Sequence, residues 1–288
     1  MAESGTFPNL VIAGAPKCGT SSLYFWLAPH PEVCASTVKE TFYLADDISR
    51  FNENLNYKND GLEGYKKHFT NCNDKSKIVF EATAPYIYFN TPLEVLPQLK
   101  PVPKIVFILR EPARRLYSQF TFNKYKLKNF KGSFLEYISL GGEKFSGKHI
   151  EKGLFADYLE KWVAVFEAKN IKVLTLEQVM QDKVAAMQDL AKWLDIDPTF
   201  YNTFDFMKRN ETFGVRSTGL HRLGLKLQPL VPYKLQEALI PLYQKLNGTA
   251  IPKISAEEER LVNELKAYYK PANDKLKSLF PTLDLSAW

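Results

Sequence analysis

Hydrophobic positions along the chain fall into two patterns. Short apolar runs bounded by turn residues occur at Asn9–Gly14, Lys77–Glu81, Lys104–Arg110 and Ile171–Thr175, and they predict buried strands. Between them lie segments with apolar residues at helical spacing. Thr20–Ala28 predicts a helix closed by Pro29-His-Pro31, and Pro112 starts another, proline being tolerated in a first helical turn. Phe155–Glu167 and Val184–Leu194 predict two more. Strands separated by helices imply βαβ units, hence an α/β fold with a central parallel sheet flanked by helices.

Beyond Asp197 the pattern changes. Residues 203–233 are irregular, basic and glycine-containing, which reads as a long functional loop. Ser255-Ala-Glu-Glu258 is a capping box ahead of a helix expected to reach about Tyr269, where Lys270-Pro271 stops it. No internal repeat or flexible linker is visible. Residues 1–288 are therefore expected to form a single domain, with a core over about 8–200 and a basic loop and helical C-terminal cover over about 201–288.

Composition adds limits. With 288 residues, 45% hydrophobic and 24% charged, the chain has globular values that exclude disorder. No apolar run approaches the ~20 residues that span a bilayer, and the start lacks a leader pattern. A soluble, cytoplasmic protein without membrane contact is expected. Cys18, Cys34 and Cys72 are an odd set with no C-x-x-C pair. They predict neither a disulfide framework nor a structural zinc site, and they fit a reducing compartment. The formal net charge is +6, and lysines cluster at Lys124, Lys126, Lys128 and Lys131. Without an arginine-rich tract or a nucleic-acid module, nucleic acid is not an expected partner. Oligomeric state stays open.

Gly14-Ala-Pro-Lys17-Cys18-Gly19-Thr20-Ser21-Ser22 is a strand–loop–helix junction. Backbone N–H groups opening a helix are unsatisfied and carry partial positive charge, so an anion sits there readily. Gly19 allows close backbone approach, Thr20 and Ser21 add hydroxyls, and Lys17 adds a full charge. Gly14 and Gly19 have the separation of the nucleotide P-loop, but Thr20 stands where that motif has lysine. The candidate strands end in Glu81 and Arg110, with no strand-end aspartate for Mg²⁺, which disfavours a kinase. Taken alone, the segment fits a phosphate cradle and an ordinary Gly/Pro turn about equally.

A second segment, Arg110-Glu-Pro112-Ala-Arg114-Arg115-Leu-Tyr-Ser118, follows a buried strand. Arg110 stands at the strand's C-terminal end, where ligands bind in open parallel sheets. Its planar fork suits a phosphate. Taken alone, the better reading is a local cap or salt bridge for Arg110 and a plain helix position for Ser118.

Together, Lys17-Cys-Gly-Thr-Ser-Ser22 and Arg-x-Pro-x-x-Arg-x-x-Ser resemble the sulfotransferases that use 3′-phosphoadenosine 5′-phosphosulfate (PAPS). The resemblance implies a metal-independent enzyme with a P-loop-like fold that releases adenosine 3′,5′-bisphosphate. It assigns Lys17, Cys18, Gly19, Thr20, Ser21 and Ser22 to the 5′-phosphosulfate, and Arg110 and Ser118 to the 3′-phosphate. Val79-Phe-Glu81-Ala-Thr-Ala-Pro-Tyr86 resembles the segment carrying the glutamate base of heparan sulfate N- and 3-O-sulfotransferases. There lysine follows the glutamate; here it is Ala82. Lys39-Glu40 resembles a bacterial feature that places a lysine near the transferring group. Arg209, Arg216 and Ser217 are candidates to close over the adenine and 3′-phosphate.

Lys17 and the helix start are thus expected to stabilise charge on the leaving oxygen, with Glu81 as base or, alternatively, salt-bridged to Lys17 or Lys39. Cys18 is a candidate oxidation-sensitive thiol or a small residue that fits. His30 in a turn, His68 on a surface helix, and His149 and His221 in loops are expected to be structural or exposed. The expected acceptor is a small metabolite or natural product, with a saccharide or glycan as the alternative. A P-loop kinase and a non-catalytic nucleotide-binding protein are the remaining readings.

Overall fold

The computed structural model describes residues 6–73, 75–206, 214–217, 219 and 246–288. Five strands, β1 (Leu10–Gly14), β2 (Val33–Ala35), β3 (Ile78–Ala82), β4 (Lys104–Leu109) and β5 (Ile171–Thr175), form one sheet in the order β2-β3-β1-β4-β5. Every neighbouring pair is parallel. Four of these are the apolar runs of the sequence. β2 is a three-residue edge strand, half-buried along its length, and has no run to mark it.

The middle of the sheet is buried on both faces, which is why β3, β1 and β4 are apolar apart from Glu81 and the opening Lys104. Val11, Ala13, Val79, Ile105, Phe107 and Leu109 share one core with Tyr65, Tyr86, Phe155 and Trp162. Leu10, Ile12, Phe80, Val106 and Ile108 share the other with Leu23, Tyr24, Leu190 and Tyr201. The period of two places Glu81 on the face of Val79, toward the first core.

Among the described residues, the helices of eight or more residues are α1 (Thr20–Leu27), α2 (Tyr57–Gly64), α3 (Pro112–Thr121), α4 (Phe155–Val165), α5 (Lys183–Leu194) and α6 (Ala256–Leu279). The capping box opens α6 as expected: Ser255 N–H donates to Glu258 Oε2 at 2.9 Å and Glu258 N–H to Ser255 Oγ at 3.1 Å. Pro271 does not stop α6, which runs eight residues past it. Tertiary contacts override the proline. Leu276 is buried in the first core, and Lys275 pairs with Asp157 at 2.9 Å and Glu160 at 2.8 Å on α4. The α/β class with a parallel sheet flanked by helices is the one expected.

Contacts divide the chain into two compact units. The first comprises Met1–Pro112, Leu154–Arg209 and Tyr269–Trp288, and holds the sheet. The second comprises Ala113–Gly153 and Asn210–Tyr268. Within it Arg114 forms a two-pronged ion pair with Glu259, and Tyr117 donates to Glu258 at 3.1 Å. It also contains an antiparallel ribbon of β6 (Gly214–Val215) and β7 (Gly248–Thr249). Most of the 203–233 stretch lies outside the described residues. Among the described residues no helix is long and apolar enough to cross a membrane.

Two expectations are corrected. Cys34 and Cys72 form a disulfide, where none was predicted. Their separation of 38 residues hides the pairing in the sequence. It arises because Thr37 N–H donates to His68 O at 2.8 Å, and Cys72 N–H to Phe69 O at 3.0 Å, bringing that chain back over β2. His68, expected on a surface helix, is buried in the tight turn Tyr65–Phe69, edge-on to the rings of Tyr43 and Tyr65.

Candidate active site

β1 lies between β3 and β4, so the loop after β1, the end of β3 and the end of β4 open onto one edge of the sheet. This is the carboxyl edge, where parallel α/β sheets bind ligands. The loop carries Lys17, the end of β3 carries Glu81, and Arg110 follows β4.

The loop is shaped by its glycines. Gly14 packs so tightly that a Cβ there would meet Ile87 Cβ at 2.8 Å. Gly19 caps α1 with φ +99°, and an added Cβ would meet Leu176 Cδ1 at 2.8 Å. No side chain caps α1, so its first N–H groups are left for a ligand. Thr20 is buried, and Ser21 and Ser22 are half-buried. Cys18 is in no disulfide and is packed in the core, its thiol donating to Pro16 O at 3.6 Å, which removes it from the exposed, oxidation-sensitive class. Gly19→Ala is expected to destabilise the fold by about 1–2 kcal/mol, the cost of a left-handed backbone with a side chain. Thermal unfolding measures it, and an unchanged Tm would show that Leu176 and the turn adjust freely.

Glu81 is fully buried. Its Oε2 accepts from Thr41 Oγ1 at 2.8 Å and Thr83 Oγ1 at 2.6 Å, and its Oε1 accepts from the Tyr65 hydroxyl. Tyr86 OH, which accepts from Leu44 N–H at 3.0 Å, stands 3.2 Å from Thr41 Oγ1. Burial pushes the Glu81 carboxyl up, while the hydroxyls of Thr83, Tyr65 and Thr41 pull it back by stabilising the anion. Burial first, then Glu81 itself, holds Tyr65 well above the usual phenol range, so Tyr65 stays a donor. The salt bridge weighed for Glu81 with Lys39 is not made: Lys39 pairs with Glu40 at 3.0 Å.

Thr83 follows Glu81 by two residues and so shares its side of the strand, a relation the sequence contains. Tyr65 and Thr41 come from the 41–75 region, which has no periodic pattern to place them.

Arg110 is half-buried and makes no ion pair or hydrogen bond among the described residues. The turn after it is held by Glu177, whose carboxylate also holds Trp288. Glu177 Oε1 accepts from Glu111 N–H at 3.1 Å, and Oε2 accepts from the Trp288 indole at 3.1 Å. An uncapped helix start, a lysine on its loop, an unpaired arginine and a buried carboxylate along one sheet edge suit an anionic ligand beside a base.

Ser118 is on α3 in the second unit. Arg216 and Ser217 are exposed beside β6, with Arg216 N–H donating to Asn247 O at 2.8 Å and Ser217 N–H to Asn247 Oδ1 at 2.7 Å. Arg209 and His221 lie outside the described residues. His30 is buried, its Nε2 at 2.9 Å from Asp197 O, and His149 stacks on Tyr137.

Comparison with known proteins agrees with this geometry. The family described as sulfotransferase domain matches residues 7–220. The chain is 26% identical over 215 residues to mouse (Mus musculus) bifunctional heparan sulfate N-deacetylase/N-sulfotransferase 4, covering 70% of this chain and 24% of that protein. It is 27% identical over 297 residues to the human (Homo sapiens) bifunctional heparan sulfate N-deacetylase/N-sulfotransferase 3, covering 98% and 31%. The chain thus spans less than a third of the length of these relatives. A crystal structure of a sulfotransferase from Alicyclobacillus acidocaldarius has the same fold, with TM-score 0.67 and 20% identity, over 98% of this chain and 99% of that one. The chain belongs to the sulfotransferase family.

Proposed function

We propose that this protein transfers a sulfuryl group from PAPS to a hydroxyl or amine of a saccharide. The observation that carries the reading is the shared sheet edge, with the uncapped start of α1 and Lys17 on one strand's loop and the Glu81 carboxylate on the adjacent strand. The loop suits the donor's 5′ end: backbone N–H groups and close glycine approach accept a phosphate or sulfate. Lys17 and the helix start oppose the charge that grows on the leaving oxygen. Arg110 is assigned to the 3′-phosphate, and Ser118 keeps the role the family resemblance gives it. Glu81 takes the acceptor's proton. Bound PAPS supplies the activated sulfuryl group.

A saccharide is favoured over the small metabolite expected from the sequence because relatives named for heparan sulfate match along the chain. The second unit adds a local reason. It has a pocket of about 530 Å³ lined by Lys124, Lys128, Lys131 and Arg216 with the rings of Tyr125 and Phe130. Cations with aromatic rings suit a carboxylated or sulfated sugar. The Cys34–Cys72 bond supports a compartment that preserves disulfides, in place of the cytoplasm.

Calorimetric titration with adenosine 3′,5′-bisphosphate, beside ATP with Mg²⁺, tests the donor. Preferential binding of the bisphosphate with EDTA present is expected, and Arg110→Ala is expected to weaken it about tenfold with little change in kcat. Binding of ATP–Mg²⁺ alone would return the kinase reading. Sulfation of N-desulfated heparin in preference to a phenol is expected next, and the reverse preference would restore the small-molecule acceptor.

A further inference from the structure

Glu81 is enclosed by the excursion between β2 and β3. Thr41 comes from the start of that excursion and Tyr65 from its far end, and only Thr83 belongs to the chain after β3. The ring of Tyr65 lies flat on Tyr43, with centroids 4.9 Å apart and planes 7° apart, and Phe69 meets it edge-on at 5.4 Å. Three residues beyond Phe69 the chain is covalently fastened to the edge strand through Cys72 and Cys34. A cross-link matters most where it closes a long loop, because it removes the largest set of alternative chain arrangements. Here the loop it closes contains both excursion donors to Glu81.

We infer that Tyr65 is a positioning residue for Glu81 and that the Cys34–Cys72 disulfide is the strap that holds its hydroxyl on the carboxylate. This rests on the reading of Glu81 as the base. A carboxylate stripped of a donor in a buried site takes up a proton more readily, and a protonated base cannot act. Opening the strap therefore lowers the ionised fraction of Glu81 at a given pH. Cys34 and Cys72 are both half-buried, neither sealed in the core, so a small dithiol is the reagent to reach their bond. The dithiol gives two electrons and two protons to the sulfur pair, leaving Cys34 and Cys72 as thiols and itself becoming a disulfide.

The titratable and charged groups around Glu81 bear on the same equilibrium. Tyr43, Tyr65 and His68 come from the excursion, Tyr86 from the turn after β3, and the Lys39–Glu40 pair from the connection that follows β2. The neighbouring strand β1 is apolar, and its loop carries Lys17. Burial lowers His68 to about 4, so it is neutral across the working range.

The test reads Glu81 directly, by ¹³C NMR titration of its carboxyl group (assigned with Glu81→Gln), and reads kcat against pH beside it. Tyr65→Phe keeps the ring stack and removes the donor. Its carboxyl is expected to titrate at higher pH, and kcat to fall about tenfold on the acidic limb and recover above it. Dithiol-treated protein and Cys34→Ser/Cys72→Ser are expected to move both curves the same way. Adding Tyr65→Phe to the cysteine variant should move them no further than Tyr65→Phe alone. Dithiol treatment of the folded protein keeps the test open if the cysteine variant fails to fold. An unmoved carboxyl titration in Tyr65→Phe overturns the positioning role. An unmoved titration after reduction, or fully additive effects, overturns the strap. Full turnover by Glu81→Gln, with the titrations still displaced, overturns the base reading alone.

Discussion

A Lys17→Ala protein is expected to lose about 10²–10³-fold in kcat, the scale of removing one donor to a developing oxyanion. Lys17 supplies the one full charge on a loop whose other donors are backbone N–H groups. Those groups survive the substitution, because the turn is built by Gly14, Gly19 and the start of α1. Binding of adenosine 3′,5′-bisphosphate should consequently weaken much less than turnover. Lys17 itself has φ +69°, and alanine inherits that backbone without relief. The stability of the variant should thus stay close to that of the parent. Single-turnover transfer from radiolabelled PAPS measures the loss. A kcat within threefold of the parent would remove Lys17 from the chemistry.

Glu81→Gln is the second large effect, with turnover expected to fall about 10²–10⁴-fold, the range of a lost general base. The amide is close in shape, and the hydroxyls of Thr41 and Thr83 can rotate to accept from it, so the fold and bisphosphate affinity should hold. The intact protein carries a matching pH signature. The proposed base must be ionised to act, and burial raises the Glu81 carboxyl above the ordinary range. The acidic limb of kcat should therefore lie at higher pH than an exposed glutamate would give. A limb at or below the exposed-glutamate value would mean that another group sets the rate.

What could be read in advance follows from how local each signal is. Strands buried on both faces announce themselves as apolar runs, so β1, β3 and β4 and their helices were legible, and β5, though a half-buried edge strand, is long enough to show the same pattern. The loop, Glu81 and Arg110 were legible because each sits within a residue or two of such a run. β2 was not, since an edge strand of three half-buried residues has no period. Pro271 misled because its local penalty is outweighed by contacts with residues more than a hundred positions away. The disulfide and the burial of His68 share one origin, the return of the 57–72 chain over the sheet edge. Tyr65 reaches Glu81 by the same route, and nothing near it in the sequence points there.

The shared carboxylate of Glu177 links two stretches of chain that lie far apart in the sequence. One oxygen steadies the turn behind Arg110 and the other holds the indole of Trp288. Trp288→Ala releases the second oxygen, so the carboxylate is free to swing away from the Glu111 N–H behind the strand end assigned to the 3′-phosphate. That variant should bind nucleotide more weakly than the parent, though no residue assigned to the ligand differs between them.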